Sequence, residues 1–168
     1  YHVQNCPKSQ ILGGKSFLLG GSSVLVDEAP GVVSGDVSDM MMKNLPWWLK
    51  PRHFPSGEFA GITQWEERVE RLSVQSLRED IRMFSGVPSW LLIFCDRLKE
   101  IKPDSDGKLA ALYPNLDMLV HGGVKFEPYK KIFEELLEGS KVDLREVYPA
   151  SEGFFASQDR GHLEGMRL

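Results

Sequence analysis

Two patterns of apolar positions alternate along this chain: short runs typical of strands, and longer segments with helical spacing. Short apolar runs at residues 15–19, 116–120 and 142–148 predict strands. Apolar residues that recur every three or four positions predict helices over residues 63–84 and 88–101. The apolar stripe of the first of these helices consists of Trp65, Val69, Leu72, Leu77, Ile81 and Phe84. Because this alternation is typical of α/β proteins, we expect a mainly parallel sheet covered by helices, in three layers.

Residues that favour helix ends support these limits. Thr63 and Glu66 have the spacing of a capping box, in which each side chain bonds the other residue's backbone N–H. Ser85-Gly86 then interrupts the helical pattern, and Pro88 suits the first position of the next helix. The second helix carries many large apolar side chains, so we expect it near the centre of the fold.

Two shorter helices are expected from weaker apolar patterns. Asp36 or Ser38 can cap a helix that extends to Leu49. Its methionines, Met40, Met41 and Met42, are interpreted as core residues in preference to a ligand-facing patch. Pro128 can start the other helix and Gly139 can end it. Its inward-facing residues are expected to be Ile132, Phe133, Leu136 and Leu137.

Turn-forming residues predict two hairpins and one tight turn. The segment 24–34 is punctuated by Gly and Pro and suits a small hairpin. A second hairpin is expected where the strand at 142–148 is followed by a turn and by the extended segment 154–157. Gly20-Gly21-Ser22-Ser23 is interpreted as a plain turn rather than a phosphate loop, because it lacks the Lys and the glycine spacing of that motif.

Length, composition and charge indicate one globular domain. The chain has 168 residues, of which 42% are hydrophobic and 26% are charged, which suits a single α/β unit over residues 1–168. The net charge is -4 and the two signs are mixed along the chain. A dedicated nucleic-acid surface would need clustered Lys and Arg, so no nucleic-acid partner is expected.

The remaining compositional features favour the cytoplasm. The chain has no apolar run long enough for a membrane span and no recognisable signal peptide, so neither a membrane nor a secretory location is expected. Cys6 and Cys95 have no motif spacing, and free thiols in a reducing compartment are favoured over a disulfide between them. The chain begins at Tyr1 and ends at Leu168 without a helix stop, which suggests a piece of a longer protein.

A candidate site is expected where the strands at 116–120 and 142–148 end. Ligands of open α/β sheets lie at the carboxyl ends of strands. The Gly122-Gly123 pair follows the first strand and lets the backbone approach a flat ligand. The second strand ends in an aromatic residue, Tyr148, and an acidic residue follows four positions later at Glu152. An aromatic side chain can stack on a base, and a carboxylate can hold a metal ion.

Three segments of this chain resemble, in the same order, the auxin-responsive acyl acid amido synthetases, and the bacterial members in particular. The segments are Gly86 to Trp90 (GVPSW), His121 to Tyr129 (HGGVKFEPY) and Tyr148 to Phe154 (YPASEGF). The last of them resembles the second nucleotide motif of the adenylate-forming superfamily: an aromatic residue, two small or turn-forming residues, a hydroxyl and a glutamate. The resemblance covers nearly the whole chain from Lys15 onward, and it implies the middle of the family's large N-terminal domain.

The resemblance implies an ATP-dependent ligase that adenylates a carboxylic acid and conjugates it to an amino acid or amine. Tyr148 would stack on adenine, and Gly122 and Gly123 would pass beside the base. Ala150 and Ser151 belong to the nucleotide motif, and the Ser151 hydroxyl would donate a hydrogen bond to the α-phosphate. Glu152 would hold Mg²⁺, which prefers oxygen ligands. Glu152 and Ser151 are therefore the expected catalytic residues, with ATP and Mg²⁺ as the expected cofactors.

The acyl pocket is implied by the same resemblance. Val87, Pro88 and Trp90 would line it, although a helix start and core packing explain these residues equally well. His121 is interpreted as a structural histidine rather than a catalytic base, because a lone histidine beside a strand end is more often structural.

The chain also departs from the family pattern. The family's Ser/Thr/Gly-rich phosphate loop and its third motif, with a ribose-binding aspartate, are absent from the sequence, as is the small C-terminal domain. We therefore expect this chain alone to be inactive, with apolar surface that is exposed or covered by a second copy. Two alternatives stay open: another acyl-adenylate-forming ligase, such as an acyl-CoA ligase, and a non-catalytic α/β interaction module.

Overall fold

The computed structural model describes residues 2–20, 25–35, 37–55, 59, 62, 64–150, 152–159 and 165–168. The helices are α1 His2–Asn5, α2 Val37–Lys43, α3 Trp65–Ser76, α4 Pro88–Ile101, α5 Leu109–Leu112 and α6 Lys130–Leu136. The strands are β1 Lys15–Leu19, β2 Val26–Ala29, β3 Val32–Ser34, β4 His53–Phe54, β5 Ile81–Gly86, β6 Met118–Gly122, β7 Asp143–Ala150 and β8 Gly153–Ser157. Single 3-10 turns cover Ile11–Gly13, Lys50–Arg52 and Pro103–Ser105.

Six strands form one mostly parallel sheet in the order β4-β1-β5-β6-β7-β8. The five strands β4, β1, β5, β6 and β7 are parallel to one another, and β8 runs antiparallel to β7. The fold class is therefore α/β, as the sequence predicts. The strands expected near residues 116–120 and 142–148 lie side by side as β6 and β7. Both expected hairpins are present, as β2–β3 and β7–β8.

One row of side chains crosses five strands and forms the centre of the core. Strand register aligns Phe54, Phe17, Phe84, Leu119 and Leu144 in this row. All five residues are buried, and they belong to one apolar cluster with residues of helices α3 to α6. The helical members are Leu72 of α3, Leu91, Phe94, Cys95 and Leu98 of α4, Leu109 of α5, and Phe133 of α6. The 88–101 helix is thus central, as expected.

The opposite face of the sheet is more polar and less covered. The next row of the same register consists of His53, Ser16, Met83, Met118 and Asp143. In this row only Met118 is buried and the other four residues are half-buried. Helices α3, α4 and α6 all bury side chains against the apolar face. In the part of the chain that the structure describes, these helices form one of the two helical layers that a three-layer arrangement needs.

The helix expected over residues 63–84 is wrong in its second half. Helix α3 ends at Ser76, a turn follows, and residues 81–86 form β5 in the middle of the sheet. Ile81 and Phe84 continue the helical spacing of Leu77, so the periodicity alone does not separate the two elements. The polar stretch Arg78-Glu79-Asp80 marks the break, and the backbone carbonyl of Asp80 accepts a hydrogen bond from the backbone N–H of Lys15. Thr63 of the expected capping box lies outside the described residues.

Two of the shorter helices also differ from expectation. Helix α2 ends at Lys43 rather than reaching Leu49. Met40 and Met41 are exposed, so the prediction that they pack in the core is wrong for both. Helix α6 begins at Lys130 and presents Ile132 to solvent, although Phe133 is fully buried as expected.

Cys6 and Cys95 are both free thiols, as favoured from the sequence. Burial raises the pKa of the Cys95 thiol to about 12, so this residue behaves as an apolar core side chain.

Among the described residues, none of the helices combines the length and the apolar character that crossing a bilayer requires.

Candidate functional site

The carboxyl ends of β5, β6 and β7 lie at the same edge of the sheet. Register pairs Gly86 of β5 with His121 of β6, and His121 with Glu146 of β7. All three strands are parallel, so the residues that follow them all lie at the same end of the strands. The predicted site residues that follow β6 and end β7 therefore share this edge, which we call the carboxyl edge.

Gly122 allows β7 to run unusually close to the end of β6. A Cβ atom at position 122 would lie 2.3 Å from the carbonyl oxygen of Val147 and 3.0 Å from Cδ of Pro149. Side-chain atoms are essentially never found so close to a backbone carbonyl, so only glycine fits here. Close packing of the two strands therefore explains Gly122, and it places Pro149, next to Tyr148, against the Gly-Gly turn.

The backbone conformation at position 123 favours glycine. Its φ of +83° lies in the left-handed region, which glycine adopts without strain. A Cβ atom at this position would lie 3.6 Å from a methyl carbon of Val87, which directly precedes α4. The ends of β5, β6 and β7 are thus in contact through Val87, the two glycines and Pro149.

Tyr148 belongs to an exposed aromatic group on the β7–β8 hairpin. Its side chain is 57% exposed, and its ring centroid lies 5.9 Å from that of Phe155. Phe154 is also exposed. Large aromatic side chains are usually buried, so this exposed group offers a surface on which a flat ligand can stack. The predicted role for Tyr148 left out the two phenylalanines, which the extended segment 154–157 could have indicated.

Glu152 lies exposed in the turn between β7 and β8, where the register pairs Ala150 with Gly153. Ser151, the other predicted catalytic residue, lies outside the described residues. An exposed carboxylate on a tight turn is accessible to a cation and offers the oxygen ligands that Mg²⁺ prefers. The donor set therefore fits a magnesium ion shared with phosphate groups.

The predicted acyl-pocket residues separate into two groups. Val87 lies at the carboxyl edge beside Gly123. Pro88 is buried in the first turn of α4, and Trp90 packs with its ring centroid 5.3 Å from that of Trp65. The structure therefore brings Val87 to the edge, whereas Pro88 and Trp90 contribute to packing.

His121 is buried within the sheet, beneath the carboxyl edge. Its side chain is 1% exposed, and its ring stacks on Phe126 with 3.8 Å between ring centroids and 19° between planes. This environment agrees with the structural interpretation of the histidine.

The order of the strands reveals a feature of this edge that the sequence interpretation missed. After β1, the next strand of this sheet along the chain is β4, which lies on one side of β1. After β5 the next strand is β6, which lies in the opposite direction across the sheet. The connections therefore diverge between β1 and β5, and open α/β sheets bind ligands at the carboxyl ends of such strands. Gly20 and Val87 flank this point, and residues 21–24 lie outside the described residues. The interpretation of Gly20-Gly21-Ser22-Ser23 as a plain turn falls largely on these residues and stays a prediction.

Comparisons of this chain with protein-family models, with curated proteins and with solved structures found no match. The functional interpretation therefore depends on the residues of this chain and on their arrangement at the carboxyl edge.

Proposed function

We propose that this chain supplies part of the nucleotide site of an ATP-dependent ligase of the acyl acid amido synthetase type. The observation that carries the proposal is the contact between two sequence segments of the resemblance. Gly122 packs against Val147 and Pro149, so the paired glycines and the Tyr148–Glu152 motif lie next to each other. The same two segments flank the nucleotide in the family that the sequence resembles.

Each residue has a role that follows from its position. The exposed ring of Tyr148 offers a stacking face for adenine, and the exposed Gly123 leaves room for the edge of the base. The Glu152 carboxylate would hold Mg²⁺, and the bound ion would supply positive charge next to the phosphates. In the proposed reaction a carboxylate of the substrate would attack the α-phosphate of ATP and displace pyrophosphate. The acyl adenylate formed in this way would then react with an amino acid or amine.

The acyl acid is expected next to the nucleotide, toward β5. Val87 lies beside Gly123, and the point where the strand connections diverge lies between β1 and β5. A small carboxylic acid bound there would present its carboxylate toward the phosphates. Val87 would then contact the apolar part of the acid.

A nucleotide titration followed by a product assay tests this proposal. ATP binding with Mg²⁺ is measured by calorimetry on this chain, for wild type, Tyr148→Ala and the ring-preserving control Tyr148→Phe. In the whole protein, acid-dependent pyrophosphate release is measured, and the product is trapped with amino acids or with coenzyme A. An amide product supports the amido synthetase and a thioester supports an acyl-CoA ligase. Absence of nucleotide binding to folded protein would favour the non-catalytic module.

A further inference from the structure

A second group of chemically reactive side chains lies at the opposite, amino end of the sheet. His2 of α1, Cys6 and Asp143, the first residue of β7, have ligand atoms within 4.8 Å of one another. Asp117, which directly precedes β6, lies beside them, with its Oδ2 atom 3.7 Å from Nε2 of His2. We call His2, Cys6 and Asp143 the amino-end cluster. It has no part in the proposed nucleotide site, because the strands run from the cluster toward the carboxyl edge.

The hydrogen bonds around His2 determine which ring nitrogen carries a proton. The Ser9 hydroxyl donates its one proton to Oδ2 of Asp117. Nε2 of His2 lies 3.0 Å from the Ser9 oxygen, so Nε2 must be the donor in that contact. In a neutral imidazole, Nδ1 is then a bare acceptor.

Nδ1 faces another acceptor. It lies 3.1 Å from Oδ2 of Asp143, a carboxylate oxygen that also accepts from the Arg145 guanidinium at 2.7 and 2.8 Å. Two acceptors at this distance repel each other unless a cation lies at the contact. A metal ion bound to Nδ1 would relieve this repulsion.

The neighbouring groups favour a metal ion. Cys6 is a half-buried free thiol in the same cluster, and thiolate, imidazole and carboxylate together form a ligand set that suits Zn²⁺. Histidines that bind a metal almost always donate their other N–H to a carboxylate or similar group. The Nε2–Ser9–Asp117 chain supplies this support for His2.

Arg145 is the main group that acts against a cation here. It is buried, and it donates to Oδ2 of Asp143 from two of its nitrogens. The guanidinium weakens the attraction of the site for a cation, but it also fixes the carboxylate in one orientation. A carboxylate has two oxygens, so Asp143 can accept from Arg145 and still bind an ion.

We propose that His2, Cys6 and Asp143 bind one zinc-class divalent metal ion, which attaches the N-terminal segment to the amino end of the sheet. A four-residue helix such as α1 is too short to be stable alone, so it depends on contacts of this kind. The ion would have a structural role, separate from any magnesium at the carboxyl edge. Water or another donor would complete the coordination.

Metal titrations of the 168-residue chain test the proposal. Zn²⁺ binding is followed by calorimetry, and Co²⁺ is used as a spectroscopic substitute whose thiolate charge-transfer band reports a cysteine ligand. We expect one ion per chain, and loss of the charge-transfer band in Cys6→Ser, which keeps Cys95 as an internal control. Asp117→Asn should weaken binding by roughly 10–100-fold, the effect typical of outer partners of a ligand. His53→Gln, a histidine change outside the cluster, should leave binding unchanged.

Far-ultraviolet circular dichroism checks that each variant is folded. His2→Gln provides a second ligand change, independent of the thiol, and it should weaken Zn²⁺ binding at least about tenfold, by comparison with losses of outer partners. Absence of saturable Zn²⁺ binding to the folded wild-type chain would overturn the proposal. Binding that both Cys6→Ser and His2→Gln leave at wild-type strength would overturn it as well.

Discussion

At the scale of single residues, Glu152 is the group whose charge is expected to matter most. It lies exposed in the β7–β8 turn, so replacing it changes little packing. Glu152→Gln keeps the size and one oxygen but removes the negative charge that would hold Mg²⁺. In the whole protein we expect adenylation to slow by on the order of a hundredfold or more, whereas stability stays within about half a kcal/mol. The measurement is acid-dependent pyrophosphate release across a Mg²⁺ titration.

Glu134→Gln is the control, because Glu134 is also an exposed glutamate and lies outside the three segments of the resemblance. It should keep wild-type rates. If folded Glu152→Gln keeps wild-type rates at all Mg²⁺ concentrations, the turn is not the metal site and the adenylation proposal for this motif fails.

Tyr148 should affect nucleotide affinity rather than metal dependence. Removal of its exposed ring in Tyr148→Ala should weaken ATP binding by roughly 1–3 kcal/mol, the range known for base–aromatic stacking. Tyr148→Phe keeps the ring and should bind within about 0.5 kcal/mol of wild type. Calorimetric titration with ATP at fixed Mg²⁺ compares the three proteins. Equal affinity of the alanine and phenylalanine variants would exclude a stacking role.

His53 should make stability depend on pH. Burial lowers the pKa of His53 from 6.5 to about 4, so the unfolded chain binds a proton that the folded chain does not bind between these values. Stability from this residue is therefore complete above about pH 6.5 and falls as the pH decreases toward 4. At about pH 5 the loss should be about 1–2 kcal/mol, allowing for partial solvent exposure of the ring.

His53→Gln should remove this loss. Urea unfolding of wild type and variant at about pH 7.5 and about pH 5 isolates the effect, because the carboxylates titrate alike in both proteins. At the lower pH, the unfolding free energy of the variant should rise relative to that of wild type. The same difference in unfolding free energy at both pH values would show that His53 titrates normally in the fold.

At the scale of elements, the close approach of β6 and β7 depends on Gly122. Gly122→Ala would place Cβ 2.3 Å from the Val147 carbonyl oxygen, so the strands must separate. We expect a loss of about 1–3 kcal/mol in unfolding free energy, the usual cost of overpacking. Gly139→Ala is the control, because nothing lies within 4 Å of the Gly139 Cβ position; unlike Gly122, Gly139 has a positive φ.

The two glycine variants are compared by urea unfolding. Gly139→Ala should cost about 1–2 kcal/mol, from its left-handed backbone alone. If Gly122→Ala is no more destabilising than Gly139→Ala, β7 can move away from β6 at little cost. The contact that supports the nucleotide proposal would then be loose rather than built into the sheet.

The strands were predictable where a polar break or glycine bounds a short apolar run, as at Lys15–Leu19 and Met118–Gly122. Strand β5 was not predictable from spacing, because Ile81 and Phe84 continue the apolar period of α3. Parallel sheets bury continuous apolar runs, so a strand beside a helix of the same composition looks like its extension. The Arg78-Glu79-Asp80 break before Ile81 and the Gly86-Val87-Pro88 break after it were the usable signals.

At the scale of the whole molecule, strand order determines where the ends of the elements meet. Strand β1 lies between β4 and β5, a pairing between residues far apart in the sequence. Local patterns carry no information on such pairing, so the divergence of connections between β1 and β5 was not foreseen. The placement of the paired glycines beside the Tyr148 motif was predictable, because one short crossover through α6 joins adjacent parallel strands.

The set of site residues that this chain contains predicts whether the purified chain is active. The carboxyl edge presents the exposed ring of Tyr148, the Gly122-Gly123 turn and the carboxylate of Glu152. The Ser/Thr/Gly-rich phosphate loop and the ribose-binding aspartate of the family that it resembles are absent from its sequence. Catalytic groups that act as one unit lose nearly all activity when several are removed. We therefore expect the purified chain to bind ATP weakly but to release no acid-dependent pyrophosphate.

A coupled pyrophosphate assay with a panel of small carboxylic acids measures this, with ATP binding by calorimetry on the same preparation. The comparison separates two causes of inactivity, a lack of nucleotide binding and a lack of phosphate activation. Folded protein that binds ATP in a Tyr148-dependent way but releases no pyrophosphate has the adenine site without the residues that activate the phosphates. Steady pyrophosphate release that depends on an added acid would contradict the prediction. The groups that activate the α-phosphate would then lie within these 168 residues, and the sequence segment that follows β1, beginning at Gly20, would be the first to test by mutation.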